Sequence, residues 1–318
     1  MASSPFTAAP AATGPARPSA AVPEGVDLVC GCIDIGSNTT RVLVADASDG
    51  TLRELLQRRA FTRIGKGLRA GGAIPREKIE EVARVVASHR ELAEQVGARP
   101  LRTVATAAIR GAANRDEFVA ALRDTGGVDV DILDGDEEAR LAFLGATRTL
   151  GQTLAGIVGV VDVGGGSTEI AIGTVAGGVT WSASFALGSG HLADAYLHAD
   201  PPAARELAAM RAHADGILEA IEVPQPDRAV AVGGSAASLR RLVGAVLEPE
   251  TMQRALRVLS GGTVAEVSAE FALDPQRVRL LPAGILILDA ASQRLGCPLL
   301  IGRGGLREGV LLELAAAA

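Results

Sequence analysis

Residues 160–170 read VVDVGGGSTEI. A β-branched run is interrupted by Asp162, collapses into Gly164, Gly165 and Gly166, and resumes through Ser167, Thr168 and Glu169. As structure, this is a tight turn between two buried strands. As chemistry, it is a cradle: glycines let the backbone approach a ligand and turn amide N–H groups into one anion-binding concavity. It is not a Walker loop, because no Gly-Lys-Ser/Thr follows and the chain continues as a strand. Nor is it a dinucleotide fingerprint, since the final glycine and the helix are missing.

A second stretch decides the matter. Residues 33–45, IDIGSNTTRVLVA, overlay residues 161–173, VDVGGGSTEIAIG, as apolar–Asp–apolar–Gly, three small turn residues, a hydroxyl and a strand. Asp34 pairs with Asp162, Gly36 with Gly164, Thr39 with Ser167 and Thr40 with Thr168. The match reads as a duplicated α/β domain with the ligand held in the cleft between two βββαβ-like halves. Two such turns facing each other would clamp one phosphoryl group from both sides. The repeat departs from itself at one position: Arg41 stands where the second copy has Glu169. A cation there either favours an extended anionic substrate or snorkels from the strand edge.

The rest of the chain fits two domains. At 318 residues it exceeds one ordinary core, and 48% hydrophobic content excludes wholesale disorder. Aromatics are only 3%, so the core is built from Ala, Val, Leu and Ile. Apolar runs stop short of a membrane span, which predicts a soluble, cytoplasmic protein with no membrane partner. A net charge of −6 argues against a broadly basic nucleic-acid surface. Cys30, Cys32 and Cys297 have neither a disulfide framework nor zinc spacing, and read as buried thiols in a reducing compartment. The opening 1–26, with five prolines among residues 1–25, reads as a disordered leader.

Local patterning then predicts strands around each aspartate and a helix from Pro75 to about Gly97. It predicts a strand running into a loop over LRTVATAAIRG, and a helix from about Glu137 to Leu150 that Asp136 can cap. Beyond the second hairpin it predicts helices over 201–222 and LPAGILILDAASQRL, a strand–glycine turn–helix over DRAVAVGGSAASLRRLVGAV, and a terminal helix from Leu306.

CIDIGSNTTRVLVAD, VVDVGGGSTEI, DGDEEARLAFLGA, AVGGSAASL and GRGGLREGVLLEL occur in this order over residues 30–314. In that order they resemble the exopolyphosphatase and guanosine pentaphosphate phosphohydrolase family. The resemblance implies duplicated actin-like (ribonuclease H-like) domains with a ligand cleft between them, in the family's short two-domain form. The expected divisions are 27–150, 151–302 and a terminal helix, 303–318, packing back on the first domain.

It implies Glu138 as the general base, with Glu137 the competing candidate, and Arg110 as the arginine reaching the phosphate. Asp34, Asp162 and Glu169 are the implied ligands of Mg²⁺, or of Mn²⁺ in its place. Phosphate contacts fall to Gly36, Ser37, Asn38 and Thr39, to Gly164, Gly165, Gly166, Ser167 and Thr168, and to Gly233, Gly234 and Ser235. TRIGKGL sets Arg63 and Lys66 near a chain path. Arg140 reads as a helix-surface ion-pair partner, whereas Arg303 and Arg307 stay open between structural and functional roles.

The implied activity is release of terminal orthophosphate from inorganic polyphosphate, with short chains favoured, by a homodimer. Hydrolysis of guanosine pentaphosphate is the alternative that shares these motifs. An actin-like ATPase or kinase, with AVAVGGSAASLRRL touching adenosine, and a non-catalytic polyphosphate or alarmone sensor are the readings from other classes. The presence of Glu138 counts against the sensor.

Overall fold

A computed structural model describes residues 28–68 and 71–318; the leader expected over 1–26 lies outside them. Val29–Ile35 (β1), Thr40–Asp46 (β2) and Arg53–Ala60 (β3) form an antiparallel meander. After the helix Arg76–Gln95 (α1), Leu101–Ala105 (β4) returns parallel to β1. A one-turn helix, Ala107–Arg110 (α2), stands where a loop was expected. Arg115–Ala121 (α3), the two-residue strand Asp131–Ile132 (β5) and Gly135–Thr149 (α4) complete the half. The strand order is β3-β2-β1-β4-β5. Edge strand β3 exposes Arg53, Glu54, Arg58 and Arg59, charges that discourage pairing with another chain.

The second half repeats the plan. Val158–Val163 (β6), Thr168–Thr174 (β7) and Gly178–Phe185 (β8) form the meander. Ser189–Tyr196 (α5) and Ala204–Leu218 (α6) precede Arg228–Val232 (β9), which runs parallel to β6. Then come Gly233–Val243 (α7), Val246–Leu247 (β10), Pro249–Gly261 (α8), Val264–Phe271 (α9), Pro275–Val278 (α10), Leu281–Leu295 (α11), Leu299–Ile301 (β11) and Leu306–Ala316 (α12). The order β10-β11-β9-β6-β7-β8 becomes that of the first sheet, strand for strand, once β10 is set aside. The duplication read from two hairpins is therefore a property of both sheets.

Helices α5, α8, α9 and α10 had no sequence expectation. Their buried apolar sets are sparse: Met252, Ala255 and Leu259 in α8, and Val267 in α9. The eight residues of α5 and of α9 and the four of α10 are too few to carry a clear period, whereas α8 is amphipathic along its 13 residues.

Two helices join the halves. One face of the second sheet packs Val158, Val160, Ala171, Val230 and Val232 against Ala139, Phe143 and Ala146 of α4. One face of the first packs Cys30, Cys32, Leu43 and Val104 against Leu306, Val310 and Leu311 of α12. Each half is thus covered by a helix that follows the other half's strands. At the α4–α12 crossing, a Cβ on Gly145 would collide with Gly305 O and one on Gly309 with Leu141 O. Cys30 and Cys32 are free and fully buried, on one face of β1. No helix among the described residues is long and apolar enough to cross a membrane.

Candidate active site

Cross-strand register places the acidic residues. Asp34 lies opposite Arg41 and Asp162 opposite Glu169, each aspartate at the C-terminal end of its central strand. The carboxyl ends of such strands are where open α/β sheets hold ligands. Each turn closes the same way: Gly36 N donates to Thr39 O at 3.0 Å, and Gly164 N to Ser167 O at 2.9 Å. The amides of Ser37, Asn38, Gly165 and Gly166 find no backbone acceptor among the described residues.

The two turns meet. A Cβ on Gly165 would stand 2.8 Å from Asn38 Cβ, and one on Gly166 would overlap Ser37 Oγ. Only glycine allows this approach, so the turns abut directly, with their unused amides gathered around one seam. Serine 189 ties the second turn to α5, its N–H and Oγ both donating to Gly164 O at 3.0 Å.

Glu138 sits in the first turn of α4 and is only 7% exposed. Asp134, not Asp136, caps this helix, accepting from Glu137 N at 2.8 Å. The helix begins two residues before Glu137, so Asp136 is already inside it and instead accepts from Ser182 Oγ at 2.7 Å, pinning α4 to β8. Arg110, at the end of α2, donates through Nη1 to Glu138 Oε2 at 2.9 Å and to Leu133 O at 2.8 Å. Burial and the neighbouring Glu169 push the Glu138 carboxyl well above the usual range, against the pull of Arg110. Desolvation and like charge thus outweigh the pull of the arginine at this carboxyl. Glu137 is engaged elsewhere, by Arg140 Nε at 2.8 Å, and Arg140 also reaches Glu313 of α12.

Glu169 is 2% exposed, accepts from Ser184 Oγ at 2.8 Å, and is raised mainly by burial. Asp162 is pushed up to about 7 by burial, Glu169 and Asp34. Asp34 is raised by burial, with Arg41 and Arg307 pulling it down. Arg41 is itself lowered to about 10 by burial and by Arg307. It does not snorkel from an edge, because β2 is an interior strand; its Nε donates to Thr39 Oγ1 at 3.0 Å.

Four part-buried or buried carboxylates therefore share one cleft and repel one another. Among the described residues no three or more His, Cys, Asp or Glu side chains form a ready-made metal cage. A hard cation taking one or two carboxylates plus water and substrate phosphate does not need one. The repulsion among these acids is what such an ion would relieve.

Other expected residues divide. Gly233 lies against Asp162, a Cβ there standing 2.6 Å from Oδ1, and Gly234 lies against Arg277. Ser235 does not join them, since its side chain is buried against Gly284 of α11. The Thr168 hydroxyl donates to Leu187 O. Arg303 is exposed, whereas Arg307 is largely buried, with Nη1 unpartnered. Ser184, His191 and Arg277 come to the site from elements whose local sequence carried no signal for it.

A family model of the Ppx/GppA phosphatase family matches residues 43–318. The chain is 29% identical to exopolyphosphatase 1 of Mycobacterium leprae over 306 residues, 89% of this chain and 88% of that one. It is 36% identical to exopolyphosphatase 2 of Mycobacterium tuberculosis over 188 residues, 56% and 58% of the two. The solved Ppx/GppA family member of Aquifex aeolicus superposes with a TM-score of 0.76 at 27% identity, covering 91% of this chain and 98% of its own. An exopolyphosphatase from Cytophaga hutchinsonii shares the fold, with a TM-score of 0.81 at 21% identity over 91% and 98%. The chain belongs to the Ppx/GppA phosphatase family.

Proposed function

We propose that the protein is an exopolyphosphatase in which Glu138 activates the attacking water. The observation carrying this reading is one buried carboxylate, Glu138, held by Arg110 beside Glu169 in the cleft of two abutting glycine turns. A general base works best with a pKa near the operating pH, and burial raises Glu138 in that direction.

The unused amides of Ser37, Asn38, Gly165 and Gly166 bind and orient the terminal phosphoryl group. Glu138 takes a proton from water; the water oxygen bonds to the terminal phosphorus as its bond to the bridging oxygen breaks. Those electrons leave with the shortened chain, and orthophosphate is released. Arg110 steadies the base and would offset charge developing on the phosphoryl group. Asp34, Asp162 and Glu169 would hold Mg²⁺, or Mn²⁺, which when bound supplies positive charge to the phosphate oxygens.

Support for polyphosphate over a nucleotide comes from the two mycobacterial relatives, both named exopolyphosphatases. Phosphate release from short polyphosphate, long polyphosphate, guanosine pentaphosphate and ATP, each with Mg²⁺, tests the reading. Release is expected from polyphosphate at a kcat/KM well above that for ATP. A preference for guanosine pentaphosphate would move the assignment to the family's other activity, and no release from any of them would overturn it.

A further inference from the structure

Five charged side chains that the chemistry above does not use run, alternating in sign, from β5 to the terminal helix and back to α4. Arg102 of β4 donates through Nε to Asp131 Oδ2 of β5 at 2.9 Å, and through Nη1 to Glu313 Oε2 of α12 at 3.1 Å. Arg140 of α4 donates to Glu313 Oε1 and, through Nε and Nη2, to both carboxylate oxygens of Glu137 at 2.8 Å. Each oxygen of Glu313 is thus engaged by a different guanidinium.

The acids at the two ends of this chain bracket the support of the base. Between Asp131 and Glu137 lie Leu133, whose carbonyl accepts from Arg110, and Asp134, which caps α4. Glu138 follows directly. The segment has little backbone support of its own, because β5 is a two-residue strand at the edge of its sheet. It pairs only through Val104 with Asp131 and Ala105 with Ile132. Glu313 reaches the segment because α4 and α12 touch backbone to backbone at Gly145 and Gly309. Glu313 lies four residues after Gly309, on the same face of its helix.

The five side chains are between 27% and 57% exposed. Ion pairs this accessible add little to stability. A guanidinium fork nevertheless fixes direction as well as distance. Two forks meeting on one carboxylate therefore restrain where the corner between β5 and α4 sits more than they stabilise the fold. That corner carries the carboxylate whose placement decides the rate.

We propose that Glu313 is a positioning residue for Glu138. Through Arg102 and Arg140 it braces both ends of segment 131–137, and so sets the distance and angle of the base toward the attacking water. Among the described residues, neither Glu313 nor its two arginines bond to Glu138 or Arg110. The inference rests on the hydrolase reading for the role of Glu138, but not for the brace itself.

Glu313→Gln keeps the side chain's shape and removes its charge. Arg102→Lys keeps the charge, loses the fork, and carries the same comparisons should Glu313→Gln fail to fold. For phosphate release from tripolyphosphate with Mg²⁺, kcat should fall about tenfold in Glu313→Gln and about threefold in Arg102→Lys, with KM within about twofold of wild type. In a Glu138→Gln background, Glu313→Gln should change the residual kcat by less than about twofold, because no base remains to be aligned. The thermal midpoint should stay within about 3 °C. The amides of Glu137 and Glu138 bond to Asp134, and their hydrogen exchange should quicken about tenfold in Glu313→Gln. The control Arg76→Gln, which breaks an exposed ion pair on α1, should leave rate and exchange unchanged.

An unchanged kcat, or an equal loss in the Glu138→Gln background, overturns the positioning role. If the wild type releases no phosphate, the hydrolase reading fails and exchange alone decides. Faster exchange at Glu137 and Glu138 then keeps the brace, and unchanged exchange overturns it as well.

Discussion

The two hairpins share a turn, a register and a hydrogen-bond closure, yet their charges differ. In the first, Asp34 faces Arg41 across the strands and is partly neutralised. In the second, Asp162 faces Glu169, and the repulsion spreads to Glu138. Opposite charges on facing strands stabilise a sheet, and like charges destabilise it. The duplicated fold therefore keeps one hairpin with offset charges and one with unrelieved like charges. On the reading proposed above, the second copy's like charges are what a base, a cation and a phosphate would use.

The largest expected effect comes from making the second hairpin like the first. Glu169→Arg removes the charge that raises Glu138 and puts a cation beside Arg110. Steady-state phosphate release should fall by about 10³-fold; retention of half the rate would break the comparison.

Next comes Arg110→Gln. Arg110 lowers the Glu138 carboxyl, so its loss raises that carboxyl further. The acid limb of the kcat/KM profile should move to higher pH, with a rate loss of about tenfold to a hundredfold. A profile moved to lower pH would contradict the arrangement.

A third test sets the aspartates side by side in chelator-treated protein. Burial, Glu169 and Asp34 push the Asp162 carboxyl up to about 7 in the folded protein, against 3.8 for a free aspartate. The folded state therefore favours its protonated form: that stability is present below about pH 4 and lost as pH rises through 7. Asp162→Asn should accordingly gain on the order of 4 kcal/mol over wild type at pH 8, and almost nothing at pH 4. Asp34→Asn should gain less, because Arg41 already offsets Asp34. Urea unfolding at both pH values measures the pair, and equal gains would erase the asymmetry.

The smallest effect concerns the support of the base. Asp134→Ala removes the α4 cap and should cost about 1 kcal/mol. The same unfolding assay measures it, and an unchanged midpoint would contradict this cap assignment.

The hairpins were legible because their signals are local. Alternating apolar residues, an aspartate before a glycine turn and a repeated spacing all lie within about a dozen residues, and the sheets follow them. The cap of α4 was misread by two residues: helix starts depend on which nearby acid meets the first free amides, and DGDEE offers several. Helix α8 is strongly amphipathic and its signal went unread, whereas α9 and α10 span only eight and four residues. Through them Gln276, Arg277 and Arg279 reach the cleft, brought there by tertiary packing that no short window of sequence records. Ser184 met Glu169, and His191 met the turns, for the same reason. Motifs supplied candidate residues for the cleft, but not the balance of its charges. Whether Arg110 or desolvation prevails at Glu138 depends on burial, which exists only in three dimensions.

The central claim is that Glu138 activates water against a phosphoryl group held by the turn pair. Single-turnover phosphate release from tripolyphosphate, measured with its Kd for wild type and Glu138→Gln, tests it most directly. The account predicts a rate about 10³-fold lower in the variant, with Kd changed less than about threefold. An undiminished rate would contradict it, as would a loss explained wholly by weaker binding.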